Sequence, residues 1–226
     1  MTNRLTVLED LASARDAGEA MVVAQLGQSL DGRIATPTGH SHYINGRAAI
    51  AFLHALRAGV DAVVVGAGTA LADDPRLTVR HVDGPDPARV LIDRQRRAGT
   101  DLAMLKADGT RRIVFGPPRD SDPDGVECVP VTPTGAIAPC DILSALAARG
   151  MRRVLVEGGA ATVSQFLGEG SLHRLCILVG PIIIGSGPIG LNLPAIETLE
   201  GAHRPQVAIA ELGDGDVLFD CRFKPA

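Results

Sequence analysis

The 226-residue sequence predicts an α/β fold: a mixed, mostly parallel sheet with helices on both faces and a C-terminal antiparallel hairpin. Three observations predict it. Strand-like and helix-like segments alternate through about residue 184, the order that builds a parallel sheet. Several strand segments are continuous β-branched runs, as in DAVVVG (61–66) and RVLVEG (153–158), which suits strands covered on both faces. The tail then changes character. QVAIAEL (206–212) and VLFDCRF (217–223) flank Gly213-Asp214-Gly215-Asp216, residue types that suit a tight hairpin turn.

In chain order, residues 5–18 (LTVLEDLASARDAG) read as a short amphipathic helix ended by Gly18. MVVAQL (21–26) has the length of a strand. Residues 47–58 place apolar side chains at helical spacing, and Gly59 ends that run. Strand 61–66 follows, then a glycine-rich turn into a short helix that leaves at Asp73-Asp74-Pro75. ARVLID (88–93), RRIVFG (111–116) and VECVPV (126–131) are further strands. The Pro/Gly/Asp-rich stretch 116–125 reads as a loop inside one domain. A helix over 141–149 leads into strand 153–158, a helix over 161–168 and a long apolar strand, LCILVGPIII (175–184).

Composition narrows the function. With 22 basic and 26 acidic side chains the formal charge is −4, and the aromatics are five Phe, one Tyr and no Trp. A mildly acidic chain with so few stacking rings is a poor grip for nucleic acid. No apolar run approaches the roughly 20 residues of a membrane helix. The acidic start (Glu9, Asp10, Asp16, Glu19) does not read as a secretory signal, so the expectation is a cytoplasmic protein without a membrane partner. Cys128, Cys140, Cys176 and Cys221 are scattered, with no CxxC spacing, so neither a zinc site nor a disulfide framework is expected; Cys176 and Cys221 read as small buried hydrophobes.

Open parallel sheets bind ligands beyond the carboxyl ends of their strands, and two strand ends here are glycine-rich. The first runs Gly66-Ala67-Gly68-Thr69, where glycines admit a phosphate and Thr69 either caps the short helix or donates to a ligand. A tight strand-to-helix turn explains the same residues. The second is Glu157-Gly158-Gly159-Ala160-Ala161-Thr162, a buried strand opening a helix whose first amides suit an anion. Glu157 there would face a hydrogen-bond donor of the ligand; the plain alternative is a surface Glu before a loop. Gly185-Ser186-Gly187-Pro188-Ile189-Gly190 fits a dinucleotide fingerprint, but Pro188 and Pro194 prevent the helix which that fingerprint must open, so it reads as a loop. His40 and His42 sit in a Gly-containing loop with no third ligand nearby, so no metal is expected.

Taken in order, SLDGRIA (29–35), GHSHYI (39–44), HALRAGVDAVVVGAGTALADDPRLTVR (54–80), RVLID (89–93) and VLVEGGA (154–160) resemble the reductase domain of bacterial riboflavin biosynthesis, the C-terminal half of the bifunctional deaminase–reductase. The resemblance covers about Met21 to the C-terminus. It implies a dihydrofolate-reductase-like fold, with residues 1–20 as a helical extension and 21–226 as a single reductase domain. It implies NADPH-dependent reduction of the ribosyl group of a ribosylaminopyrimidine 5′-phosphate to the ribityl form, on the deaminated uracil or its 2,5-diamino analogue. By the same resemblance Thr69 and Asp73 match NADPH-contacting positions and Gly159 to Gln165 the pyrophosphate-holding turn and helix start, with Tyr43 in the place of a nicotinamide-side Trp. Together with the glycine turns, this makes Gly66, Gly68, Thr69, Asp73, Gly158, Gly159, Ala160, Ala161 and Thr162 the expected cofactor-binding residues. Arg94, with Arg96 or Arg97, falls where the 2′-phosphate would be held; a solvated basic turn accounts for those arginines equally. Ser41, Arg57, Leu77, Arg80 and Glu157 match substrate-contacting positions, and Glu157 and Asp31 are the candidate catalytic carboxylates. A homodimer is implied too, with strand 175–184 as a candidate interface. Gln25 stands where the family often has Lys, and no HxE with a later PCxxC is present, so deamination is expected of a separate protein. The alternatives are a reductase of the same fold acting on another substrate, dihydrofolate-type or secondary-metabolite, and a non-catalytic nucleotide-binding protein.

Overall fold

The computed structural model describes residues 6–132 and 134–223. The chain runs α1 (Val7–Ala17), β1 (Met21–Ser29), α2 (Arg47–Ala58), β2 (Ala62–Gly66), α3 (Ala67–Asp73), β3 (Ala88–Ile92), β4 (Arg112–Phe115), β5 (Val126–Val129), α4 (Pro139–Ala147), β6 (Arg153–Glu157), α5 (Ala160–Gly168), β7 (Arg174–Gly180), β8 (Gln206–Gly213) and β9 (Asp216–Arg222). The strands described form one sheet in the order β5-β4-β3-β2-β6-β1-β7-β9-β8. The first seven in that order are parallel, and β9 pairs antiparallel with both β7 and β8.

The β-branched runs follow from the two cores this sheet separates. Val23, Val63, Val65 and Leu155 pack on one face with Phe52 and Leu56 of α2 and with Val7, Leu11 and Ala14 of α1. Their neighbours Val22, Val64, Val154 and Val156 turn to the other face, against Ile142 and Leu146 of α4 and Val163 and Phe166 of α5. A strand with no solvent face has no reason to alternate. Helix α1 belongs to the first core, so residues 7–17 pack into the domain instead of extending from it.

Several boundaries differ from the sequence reading, the first strand running on to Ser29 among them, and three of the differences have a local physical cause. The long apolar strand stops at Gly180, because Pro181 has no amide for the ladder and β9 pairs only as far as Val179. The helix expected at 141–149 runs Pro139–Ala147, with Pro139 in the first turn, where its missing amide costs nothing. The hairpin turn narrows to Asp214 and Gly215, both at positive φ (57° and 81°), as a two-residue turn of matching twist requires. Residues 185–190, which mimic the dinucleotide fingerprint, lie in a loop.

Candidate active site

Strands β1, β2 and β6 lie side by side, and a cleft of about 510 Å³ opens beyond their carboxyl ends. Its wall is built by Gln25 and Gly27 of β1, by Ser41, Tyr43 and Asn45 of the following loop, by Gly68, Thr69 and Asp73 of α3, and by Gly158 and Gly159 after β6. An apolar depression of similar size, about 500 Å³, lies elsewhere, lined by Leu167, Leu193 and Phe223 among others. The first cleft is the better candidate, because polar side chains and two glycine turns converge on it.

The two glycine turns are tied together. Thr69 Oγ1 accepts the Gly159 amide at 2.7 Å. Gly158 has φ +115°, and a Cβ there would stand 2.6 Å from Thr69 Oγ1, so glycine is required at that approach. Thr69 lies inside α3, whose N-cap is Gly66, so the capping role read from the sequence gives way to this cross-link. With Gly159 engaged, Ala160, Ala161 and Thr162 supply the first-turn amides of α5, which has no side-chain cap. Across the mouth, Ser41 Oγ donates to Asp73 Oδ1 at 3.4 Å.

Behind the cleft sits a buried ion pair. Arg57 Nε donates to Glu157 Oε1 at 2.7 Å and Nη2 donates to Oε2 at 2.6 Å, a two-point fork, while Nη1 donates to the Thr78 carbonyl at 3.1 Å. Both side chains are less than a tenth exposed. Burial opposes the guanidinium charge, but Glu157, helped by Asp86, outweighs it and raises the Arg57 pKa. Two expectations are thereby revised: Arg57 presents its fork to Glu157 in place of a phosphate, and Glu157 faces Arg57 and does not line the cleft. Leu77, read as a substrate contact, buries its side chain in the first core at φ +56°, leaving only its backbone for a ligand.

Arg80 is exposed. Its Nη1 donates to Thr78 Oγ1 at 2.5 Å, and its amide donates to His54 Nδ1 at 2.9 Å. Partial burial and the repulsion of Arg57 and Arg76 lower the Arg80 pKa, with Asp86 opposing. With Arg57 engaged by Glu157, Arg76 and Arg80 against the single carboxylate of Asp86 leave an excess of positive charge that suits an anion.

His54, buried on α2, has its pKa pushed down to about 4 by burial, then by Arg57, His81 and Arg80. Its folded pKa lies below the unfolded value of 6.5, so its stabilising effect is complete above pH 6.5 and is lost as pH falls toward 4. Unfolding measured by urea should show a loss of about 1–2 kcal/mol across that window, allowing for solvent screening. His54→Asn, which keeps an acceptor near the Nδ1 position, should flatten this slope; an unchanged slope would reject His54 as its source.

Asp31 and Arg94, also predicted from the sequence, lie away from the cleft as well. Asp31 accepts from Ser29 Oγ at 2.6 Å, the Ile184 amide at 3.0 Å and the Gly185 amide at 2.7 Å, and the Ser29 hydroxyl first, then these amides, hold its pKa down at about 2. It ties the β1 turn to the glycine loop, a structural place in contrast to the catalytic one expected. Arg94 lines a separate depression of about 200 Å³ with Ala67, Arg97 and Gln165. Sequence reasoning missed Asn45, whose position just before a helix was its only signal. Gln25, singled out from the sequence for another reason, lines the cleft and is register-paired with Glu157. No group of three metal-ligating side chains occurs among the described residues, and none of their helices is long and apolar enough to cross a membrane.

The sheet order, with the crevice at its strand ends, is that of a dihydrofolate-reductase-like fold. The dihydrofolate reductase of Enterococcus faecalis complexed with NADP(H) shares this fold with a TM-score of 0.51, at 10% identity over 90% of this chain and 97% of that one. Residues 20–212 match the RibD C-terminal domain, and the chain belongs to that family. RibD of Acinetobacter baumannii superposes with a TM-score of 0.80 at 30% identity, over 93% of this chain and 60% of that one. The riboflavin biosynthesis protein RibD of Corynebacterium ammoniagenes is 34% identical over 80% of this chain, which spans 49% of its length. The 2,5-diamino-6-ribosylamino-4(3H)-pyrimidinone 5′-phosphate reductase of Methanothermobacter thermautotrophicus is 33% identical over 73% of this chain and 79% of its own. The chain thus spans about half to three-fifths of the first RibD relatives it matches.

Proposed function

We propose that the protein is an NADPH-dependent reductase that converts the ribosyl group of a ribosylaminopyrimidine 5′-phosphate to the ribityl form. The observation that carries this reading is a polar cleft at the strand ends together with the exposed Arg76 and Arg80, which stand close enough to the buried Arg57–Glu157 pair for Arg57 and Arg76 to repel Arg80. A small phosphorylated substrate needs both. The residues present fit a dinucleotide: the α5 first-turn amides suit its phosphates, and Arg94 with Arg97 suits an additional 2′-phosphate. A bound nicotinamide would supply the hydride. The chain's own residues bind and orient: Thr69 locks the two turns, Ser41 and Asp73 close the mouth, and Arg57 holds Glu157 in one orientation.

The test is oxidation of NADPH and, in parallel, NADH, with the deaminated and the 2,5-diamino ribosylaminopyrimidine phosphates. At least one pyrimidine should be reduced, and NADPH should bind about tenfold or more tighter than NADH, worth roughly 1.4 kcal/mol. No turnover with either pyrimidine would overturn the reading, and equal cofactor affinities would remove the 2′-phosphate assignment. A homodimer belongs to the same proposal. Strand β7 lies inside the sheet between β1 and β9, so the surface expected there moves to edge strand β8, where Ile209 is 56% exposed. Light scattering at micromolar concentration should give twice the 23.5 kDa chain mass; the single mass would refute the dimer.

A further inference from the structure

We propose that Asp216, at the start of the last strand, is a positioning residue for the cleft, latching the loop that carries Tyr43. Asp216 is fully buried, and no Lys, Arg or His pairs with it among the described residues. Both its oxygens point at one short segment: Oδ1 accepts from Asn45 Nδ2 at 2.9 Å and Oδ2 accepts from the Gly46 amide at 2.6 Å. Asp214 adds the Arg47 amide at 3.1 Å. The turn of the C-terminal hairpin therefore supplies the acceptors that the N-terminus of α2 lacks locally, for its N-cap is Gly46 with no side-chain cap.

The latch presses the loop onto two strand ends. The Ile44 carbonyl occupies the space a Cβ on Gly180 would need, so β7 requires glycine there, and the Asn45 side-chain oxygen fills the space left open at Gly27 of β1. At the neighbouring position Tyr43 has φ +73° and is 88% exposed. A non-glycine residue keeps that conformation only where its surroundings over-determine it. The exposed ring does not supply that hold. Asn45, Gly46 and Asp216 do. Since α2 carries Arg57 at its far end, the same latch also fixes the helix that holds Glu157.

The consequence for ligands rests on the proposed function, but the latch itself can be read without any ligand. The sequence has one Tyr and no Trp, so tyrosine fluorescence reports Tyr43 alone. Asn45→Ala and Asp216→Ala should lower its steady-state anisotropy, and amide exchange at Gly46 should accelerate. In both, the KM for NADPH should rise about tenfold or more while kcat falls less than about threefold. Asp216→Asn, which retains an acceptor, should recover part of the loss. Leu146→Ala, in the core on the opposite face, should lower Tm without moving Tyr43 anisotropy or that KM. If Asp216→Ala does not fold, Asn45→Ala decides. Unchanged anisotropy and KM in Asn45→Ala, or the same shifts in Leu146→Ala, overturn the proposal. Mobilised Tyr43 in a protein whose wild type binds no NADPH would uphold the latch and defeat the reductase reading.

Discussion

Arg57→Ala is expected to destabilise the protein by about 3–5 kcal/mol in urea unfolding and to remove most of its activity. The cause is the carboxylate left behind. Glu157 is 5% exposed and receives both its strong hydrogen bonds from the Arg57 fork, so the truncation strands a buried charge. Arg57→Lys should repair only part of the loss, because a single ammonium cannot reproduce a planar two-point fork. Removing both partners should cost less than Arg57→Ala alone, since no unpaired charge then remains. The double variant should nevertheless stay inactive if Glu157 serves the substrate. Strictly additive losses, or an Arg57→Ala protein of normal stability, would show that the pair is not coupled as its geometry requires.

Arg80→Ala should leave stability nearly unchanged and lower kcat/KM by roughly 10²-fold, the loss of about 3 kcal/mol of charge-assisted hydrogen bonding to a phosphate. The sequence offered Arg57 and Arg80 as joint holders of that phosphate. With Arg57 engaged by Glu157, the load falls on Arg80, whose guanidinium has Thr78 Oγ1 as its one hydrogen-bond partner among the described residues. NADPH affinity should change little, because the cofactor phosphates are assigned to the α5 first turn. Arg80→Lys should recover part of the rate. Steady-state kinetics with NADPH binding measured separately decides the matter; normal kcat/KM in Arg80→Ala would withdraw the phosphorylated substrate.

Much of the site is local in the chain, and that part is legible in one dimension. Gly66, Gly68 and Thr69 follow one strand, Gly158 to Thr162 follow another, and both land beside the cleft because strand-to-helix turns in a parallel sheet share one edge. Partner choice is not local. Whether Arg57 meets a phosphate or Glu157 depends on β6 lying between β2 and β1, which sets Glu157 beneath α2 across a separation of 100 residues. Asp31 suffers the same ambiguity: the residue type suits catalysis, but the amides of Ile184 and Gly185 reach it first.

By itself the sequence determined the alternation of strands and helices, the two covered faces, the edge hairpin and the glycine turns. Each of these is set by side-chain period, β-branching or a backbone conformation that neighbouring residues dictate. The tertiary structure alone decided that β7 ends at Gly180, that Leu77 turns inward, that Arg57 clasps Glu157, and that Asp216 reaches back 170 residues to the Gly46 amide. The physical reason is common to all four. Charges and amides leaving water must find partners wherever the packed sheet brings them, and sequence spacing carries no record of which strands become neighbours.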